Sequence, residues 1–321
     1  MFRTKVVLAA LVCAFVSGCS GEARMPAAPM LRTIGTTAFL YGEWSAPQPF
    51  PAGINSTTSE QNAVLSRDEL SLYFSSDRPG GMGGLDIYIA QRATLDSPWG
   101  SPINAGAPIN TSGADFAPNL SIDGHLLFFS SARPGGQGAS DIYVARRANP
   151  KDDFGWEDVT NIGTVNTTDV ENAPFYLQNA EDGPTNLYFN RGVLATSGGE
   201  IYRVAITRQG ATIGEAEPVA ELNLLAINDA AVSIRHDGKE IFFWSNRAGG
   251  LGGLDIWTST RSNVHSPWPT PVNAGAPINT SANDLTPSLS FDGLTMVFAS
   301  TRAGGLGGND LYFSTRSRNG Q

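Results

Sequence analysis

One segment written five times constrains this chain more than any other feature of it. The stretch LSIDGHLLFFSSARPGGQGASDIY (120–143) returns with substitutions at 65–88, 234–257 and 289–312, and in decayed form at 177–202. The arginine closing the apolar run of each copy, Arg78, Arg133, Arg191, Arg247 and Arg302, recurs at steps of 55, 58, 56 and 55 residues. A period that long, made of several short strand patterns, encodes a propeller blade rather than a solenoid rung. With 36 glycines and 20 prolines to supply tight turns, the expected class is all-β: a five-bladed β-propeller of four-stranded antiparallel blades over residues 37–321.

Turn chemistry places the strands inside each copy. Asp-Gly at Asp123-Gly124, Asp182-Gly183, Asp237-Gly238 and Asp292-Gly293, with Asp68-Glu69 in the first copy, marks a tight hairpin between strands A and B. Strand B carries Tyr73-Phe74, Phe128-Phe129, Tyr188-Phe189, Phe242-Phe243 and Phe298, which are expected to pack between blades. A glycine-rich loop leads into strand C, which an acid opens. Strand D runs from a tryptophan to an asparagine about eleven residues on: Trp99 to Asn110, Trp156 to Asn166, Trp268 to Asn279, with no tryptophan in the third copy. The fifth copy stops after strand C, while Trp44 to Asn55 matches a strand D placed ahead of the first. That N-terminal strand is expected to complete the last blade and close the ring without a free edge.

The first residues are of another kind. Arg3 and Lys5 precede an apolar run, Val6 to Val16, too short to span a bilayer. Residues 1–18 read as a signal peptide, and 19–36, small and proline-containing, as a tether. Val16-Ser17-Gly18-Cys19 resembles the lipobox of bacterial lipoproteins. That resemblance implies acylation of Cys19 and a lipid-anchored protein of the cell envelope, with Ser20 favouring the outer membrane. Cys13 would leave with the signal, so no disulfide is expected. Cleavage leaves 19 of the 21 basic residues against 30 acids, a formal charge of −11, which argues against nucleic acid as a partner.

The SxDG turn, the aromatic strand and the SxRPGGxGGxDIY loop resemble the WD40-like repeats of TolB-type propellers of bacterial envelopes, over residues 43–321. The resemblance implies the fold and says little about activity. The third copy departs from it, with GVLATSGG (192–199) in place of RPGGxGG and an insertion near 178–182.

In an up-and-down blade, the B–C loop and the connection from D to the next A share a face, which here collects three charges per blade. The strand A acids Glu60, Asp115, Glu171, Asp229 and Asp284 are expected to ring one mouth of the central channel. Arg78, Arg133, Arg191, Arg247 and Arg302 are expected to pair with the strand C acids of their own blades, Asp86, Asp141, Glu200, Asp255 and Asp310. The strand A acids would then be free to take a cation, an amine or sugar, or a partner's basic side chain, or would simply cap turns and face water. Apart from such a cation, no cofactor is expected.

Three motifs carry less than they suggest. GGMGGLD has one residue too many for a calcium-binding nonapeptide, and the wrong period. The sequons at Asn55, Asn110, Asn166 and Asn279 fall on one turn of the repeat, so turn chemistry accounts for them. His125, His236 and His265 form no metal-spaced pair and adjoin no GxSxG elbow. Because the charges repeat with the blades, the sequence reads as a surface rather than a reaction centre. The expectation is a monomeric envelope lipoprotein, not an enzyme, whose propeller binds an envelope protein or a cell-wall glycan. Two alternatives stand beside it. One is a glycoside hydrolase or lyase using channel-mouth carboxylates, with the divergent Glu171 and Glu200 breaking the symmetry that such chemistry must break. The other is a structural spacer.

Overall fold

The computed structural model of the chain describes residues 41–178, 185–192 and 199–319. The signal peptide, Cys19, the tether and the Asp182-Gly183 turn lie outside the described residues.

Twenty strands form five four-stranded antiparallel sheets. After β1 (Gln48–Pro49), blade I contains β2 (Glu60–Leu65), β3 (Ser71–Ser76), β4 (Asp86–Gln91) and β5 (Ile103–Asn104). Blade II is β6 (Asp115–Leu120), β7 (Leu126–Ser131), β8 (Asp141–Arg146) and β9 (Glu157–Asn161). Blade III is β10 (Val170–Leu177), β11 (Asn186–Gly192), β12 (Gly199–Ile206) and β13 (Thr212–Pro218). Blade IV is β14 (Asp229–Ile234), β15 (Glu240–Ser245), β16 (Asp255–Thr260) and β17 (Val272–Asn273). Blade V is β18 (Asp284–Leu289), β19 (Thr295–Ser300) and β20 (Asp310–Thr315), completed by β1.

The seam lies where the sequence places it. Gln48 faces Phe313 and Pro49 faces Tyr312; the Phe50 amide donates to Leu311 O at 2.9 Å and the Ser45 amide to Thr315 O at 2.8 Å. Phe50 meets the Phe313 ring edge-on at 5.3 Å, so the closing strand brings apolar area as well as ladder bonds.

Because side chains alternate across a strand, the two neighbouring aromatics of strand B serve different seams. Phe74 joins the cluster shared by blades V and I, and Tyr73 the one between I and II. Phe129 and Phe128 divide likewise between the second and third clusters, Phe189 and Tyr188 between the third and fourth, Phe243 and Phe242 between the fourth and fifth. The hydrophobic core is thus five inter-blade wedges.

Strand A of every blade is bulged, with a left-handed residue at Asn62, Ala117, Ala173, Ala231 and Thr286 (φ 49 to 52°). The bulge aims backbone amides at the neighbouring blade: Ala117 N donates to Ser75 Oγ at 2.9 Å and Ala173 N to Ser130 Oγ at 3.0 Å. These bulges narrow the channel, whose wall includes Pro118, Pro174 and Pro287.

Candidate functional site

The repeated charges are structural, and their pairing differs from the expectation. Each arginine binds the strand A acid of its blade, not the strand C acid: Arg78–Glu60 at 3.1 Å, Arg133–Asp115 at 2.9 Å, Arg191–Glu171 at 2.8 Å, Arg302–Asp284 at 2.6 Å, and Arg247–Asp229 in short contact. All five strand A acids are 0 % exposed. The expected ring of free carboxylates at the channel mouth is therefore absent, and Glu171 cannot serve as a catalytic acid while it is locked to Arg191 and the Thr167 amide and hydroxyl.

The rest of the unit follows from the same accounting. In blade II the Asp115 carboxylate accepts from Ser131 Oγ at 2.5 Å, from the Thr111 amide at 2.6 Å and from Thr111 Oγ1 at 2.8 Å. Arg133 spends its remaining donors on Ser131 Oγ and Ile109 O and lies over the rings of Phe129 and Tyr143. A buried charge persists when paired and fully hydrogen-bonded in this way.

The strand C acids take backbone partners. Asp86 accepts from the Met82 amide at 2.5 Å, Asp141 from Gln137 at 2.5 Å, Asp255 from Leu251 at 2.7 Å and Asp310 from Leu306 at 2.9 Å. Each therefore holds the glycine-rich loop by its amides, without the arginine. Glu200 lies opposite Arg191 in the ladder, yet the guanidinium turns to Glu171.

The sequon asparagines are clamps. Asn110 accepts from the Ile87 amide at 2.9 Å and donates to Ile87 O at 2.8 Å, and Asn55, Asn166 and Asn279 do the same to Leu311, Ile142 and Ile256. All four are 1 to 3 % exposed, closed to a glycan.

A second arginine set, missed in the sequence, ends strand C: Arg92, Arg147, Arg261 and Arg316 stack on Trp99, Trp156, Trp268 and Trp44 at 4.0 to 4.5 Å. Their Nε groups bind the A–B turns through Glu69 O, Gly124 O, Gly238 O and Gly293 O. The conspicuous tryptophans of strand D are thus half of a turn-holding device.

The opposite mouth, where the A–B turns gather, is built differently. One small open cavity of about 80 Å³ there has Arg67, Ile122, Gln178, His236 and Phe291 in its lining, one residue from each blade. Four of these occupy the x of SxDG or its variant, and Gln178 reaches the same rim from the end of β10. Four similar turns and the end of β10 thus present five unlike side chains at the axis, which is what a specific site requires and a repeat by itself does not supply. The Arg67 guanidinium lies 4.4 Å from the Phe291 ring centroid, and the His236 ring is also 4.4 Å away. Burial and the Arg67 charge hold the imidazole pKa below its ordinary value, so it is neutral at pH 7 with both nitrogens able to bond.

Two carboxyls sit on the turns that carry Arg67 and Phe291. Glu69 is the one acid in an A–B turn at left-handed φ (+58°), where the other described turns place Gly124, Gly238 and Gly293 at 71 to 73°. Its pKa is raised by burial and by the charge of Asp292, against a lowering pull from Arg92. Asp292 accepts from Ser290 Oγ at 2.7 Å and the Leu294 amide at 2.9 Å. Two carboxyl groups in different surroundings thus stand on neighbouring turns.

No protein-family model matches this sequence, and no curated protein sequence matches it. Its fold is that of five-bladed glycoside hydrolases. An α-L-arabinofuranosidase from Lactobacillus brevis is 14% identical over 85% of this chain and 96% of its own, at a TM-score of 0.56. An α-L-arabinofuranosidase from Podospora anserina, solved with cellotriose, is 12% identical over 88% and 98%, at 0.55. An endo-arabinase from Bacteroides thetaiotaomicron is 15% identical over 81% and 97%, at 0.53. Two expectations are corrected by these neighbours: they are glycosidases rather than TolB-type proteins, and the fold shared with them lends no support to the expectation of a non-enzyme. Both expectations rested on the repeat motif, which encodes blade construction and not what is bound at the axis.

Proposed function

We propose that this chain is a glycan-acting propeller of the glycoside hydrolase class, taking a saccharide at the A–B turn mouth. Phe291 would offer a face for a sugar ring, His236 and Gln178 hydrogen bonds to its hydroxyls. Glu69 would deliver a proton to the glycosidic oxygen, with Asp292 as the second carboxyl group, activating water or stabilising the developing positive charge. The observation that carries this reading is Glu69: an acid kept in a backbone conformation suited to glycine, its carboxyl protonated more readily than usual beside a second carboxylate. Strain of that kind persists where function holds it in place.

The reading is tested by incubating the purified chain with arabinan, xylan and peptidoglycan sacculi and measuring reducing-end release. Glu69→Gln is expected to lower release at least 100-fold while leaving saccharide binding within a few-fold of wild type. Unchanged release in that variant would remove Glu69 from the chemistry. The lipobox supports placing the enzyme on an envelope membrane; Cys19→Ala is expected to move it to the soluble fraction.

A further inference from the structure

Among the residues that line this cavity Arg67 carries the one formal charge, and no carboxylate is paired with it. Arg67 is exposed and, among the described residues, makes no hydrogen bond or ion pair; its guanidinium touches only the Phe291 ring. The acids of the surrounding turns are engaged elsewhere. Asp68 accepts from Ser66 Oγ and the Leu70 amide, Asp237 from Arg235 and the Lys239 amide, and Asp292 from Ser290 and Leu294. The cavity lining itself holds no carboxylate; Glu69 and Asp292 stand on the turns that border it.

Most arginines of the blade framework are paired. The Arg78 series and Arg147, Arg235 and Arg316 all meet a carboxylate at 3.1 Å or closer. In a chain with formal charge −9, an arginine left without an acid in the lining of this cavity is a ready receiver for an anion. A guanidinium offers two parallel N–H donors to a carboxylate.

We infer that the glycan recognised here is anionic, with a uronic acid unit whose carboxylate is received by Arg67. The inference rests on the proposed glycan-acting function and names its substrate class. Neutral His236 complements it by offering a donor and an acceptor to ring hydroxyls without adding a second charge.

Calorimetry separates the two levels of the argument. The full chain is titrated with a trigalacturonide and with its carboxyl-reduced counterpart, which differs only in having CH2OH for COO−. Wild type is expected to bind the acid form at least tenfold more tightly, with affinity falling as salt rises. Arg67→Gln should bring the two affinities together, and Arg67→Lys should keep part of the preference. Thermal unfolding of Arg67→Gln should stay close to wild type, since the side chain is exposed and its one contact is with the Phe291 ring. Equal wild-type affinities for the two sugars would overturn the anionic substrate and leave the glycan-acting reading intact. Binding of neither, together with no release from any glycan, would overturn both.

Discussion

Arg133 stands between two carboxylates in the register of its blade, because Ser131 lies opposite both Asp115 and Asp141. Spacing alone favours Asp141, at the far end of the same loop. Backbone geometry decides otherwise: the loop amides of Gln137 and Gly138 occupy Asp141, and the guanidinium gains Ile109 O only by leaning toward strand A. Asp115→Asn should therefore leave a largely buried guanidinium without its counter-ion and cost about 3–5 kcal/mol, read as a lower denaturation midpoint; Asp141→Asn, which removes no ion pair, should cost less. Equal losses would mean that the arginine is shared. At Glu69 the expected sign is reversed. Glu69→Gly relieves the left-handed cost but gives the unfolded chain more freedom, so stability should rise by up to about 1 kcal/mol while glycan cleavage is lost. A variant that is both more stable and fully active would show that the strain serves nothing.

The glycine-rich loop joins blades more than it shapes its own. A Cβ at Gly138 would sit 1.8 Å from Asp169 O of the next blade, and one at Gly307 would sit 1.8 Å from Thr58 O across the ring seam. These are backbone contacts, which cannot rotate away. Gly138→Ala should cost about 1–3 kcal/mol and raise amide exchange first along the blade II–III seam; exchange raised only within blade II would assign the loop a local role. Such loops were legible as turns, and blade count, strand order and ring closure were legible because apolar alternation and Asp-Gly turns recur at one period. The stacking of Arg92, Arg147, Arg261 and Arg316 on tryptophan was not, since it joins residues on different strands with no fixed spacing. The site was missed for a deeper reason: repetition drew attention to the charged columns, whereas Arg67, Ile122, Gln178, His236 and Phe291 are marked by failing to repeat. That column was visible in the sequence, but only the closed ring shows that its members meet.

At the scale of the whole ring, one short strand holds a contact 256 residues apart in sequence. Asn55 clamps Leu311 at 2.8 and 3.0 Å, Phe50 enters the cluster between blades V and I, and Trp44 stacks on Arg316 at 4.4 Å. Without residues 41–55, strand Asp310–Thr315 becomes an open edge with unpaired donors and acceptors, and two inter-blade wedges lose apolar cover. An edge of that kind pairs with whatever strand it meets, so a chain beginning at Ser56 should melt well below one beginning at Tyr41 and should self-associate on size-exclusion chromatography. A synthetic 41–55 peptide should restore the monomer by taking the vacant place in blade V, and the same peptide carrying Asn55→Ala should restore it poorly. A chain from Ser56 that remains monomeric with an unchanged melting temperature would mean that the five wedges hold the ring without its closing strand.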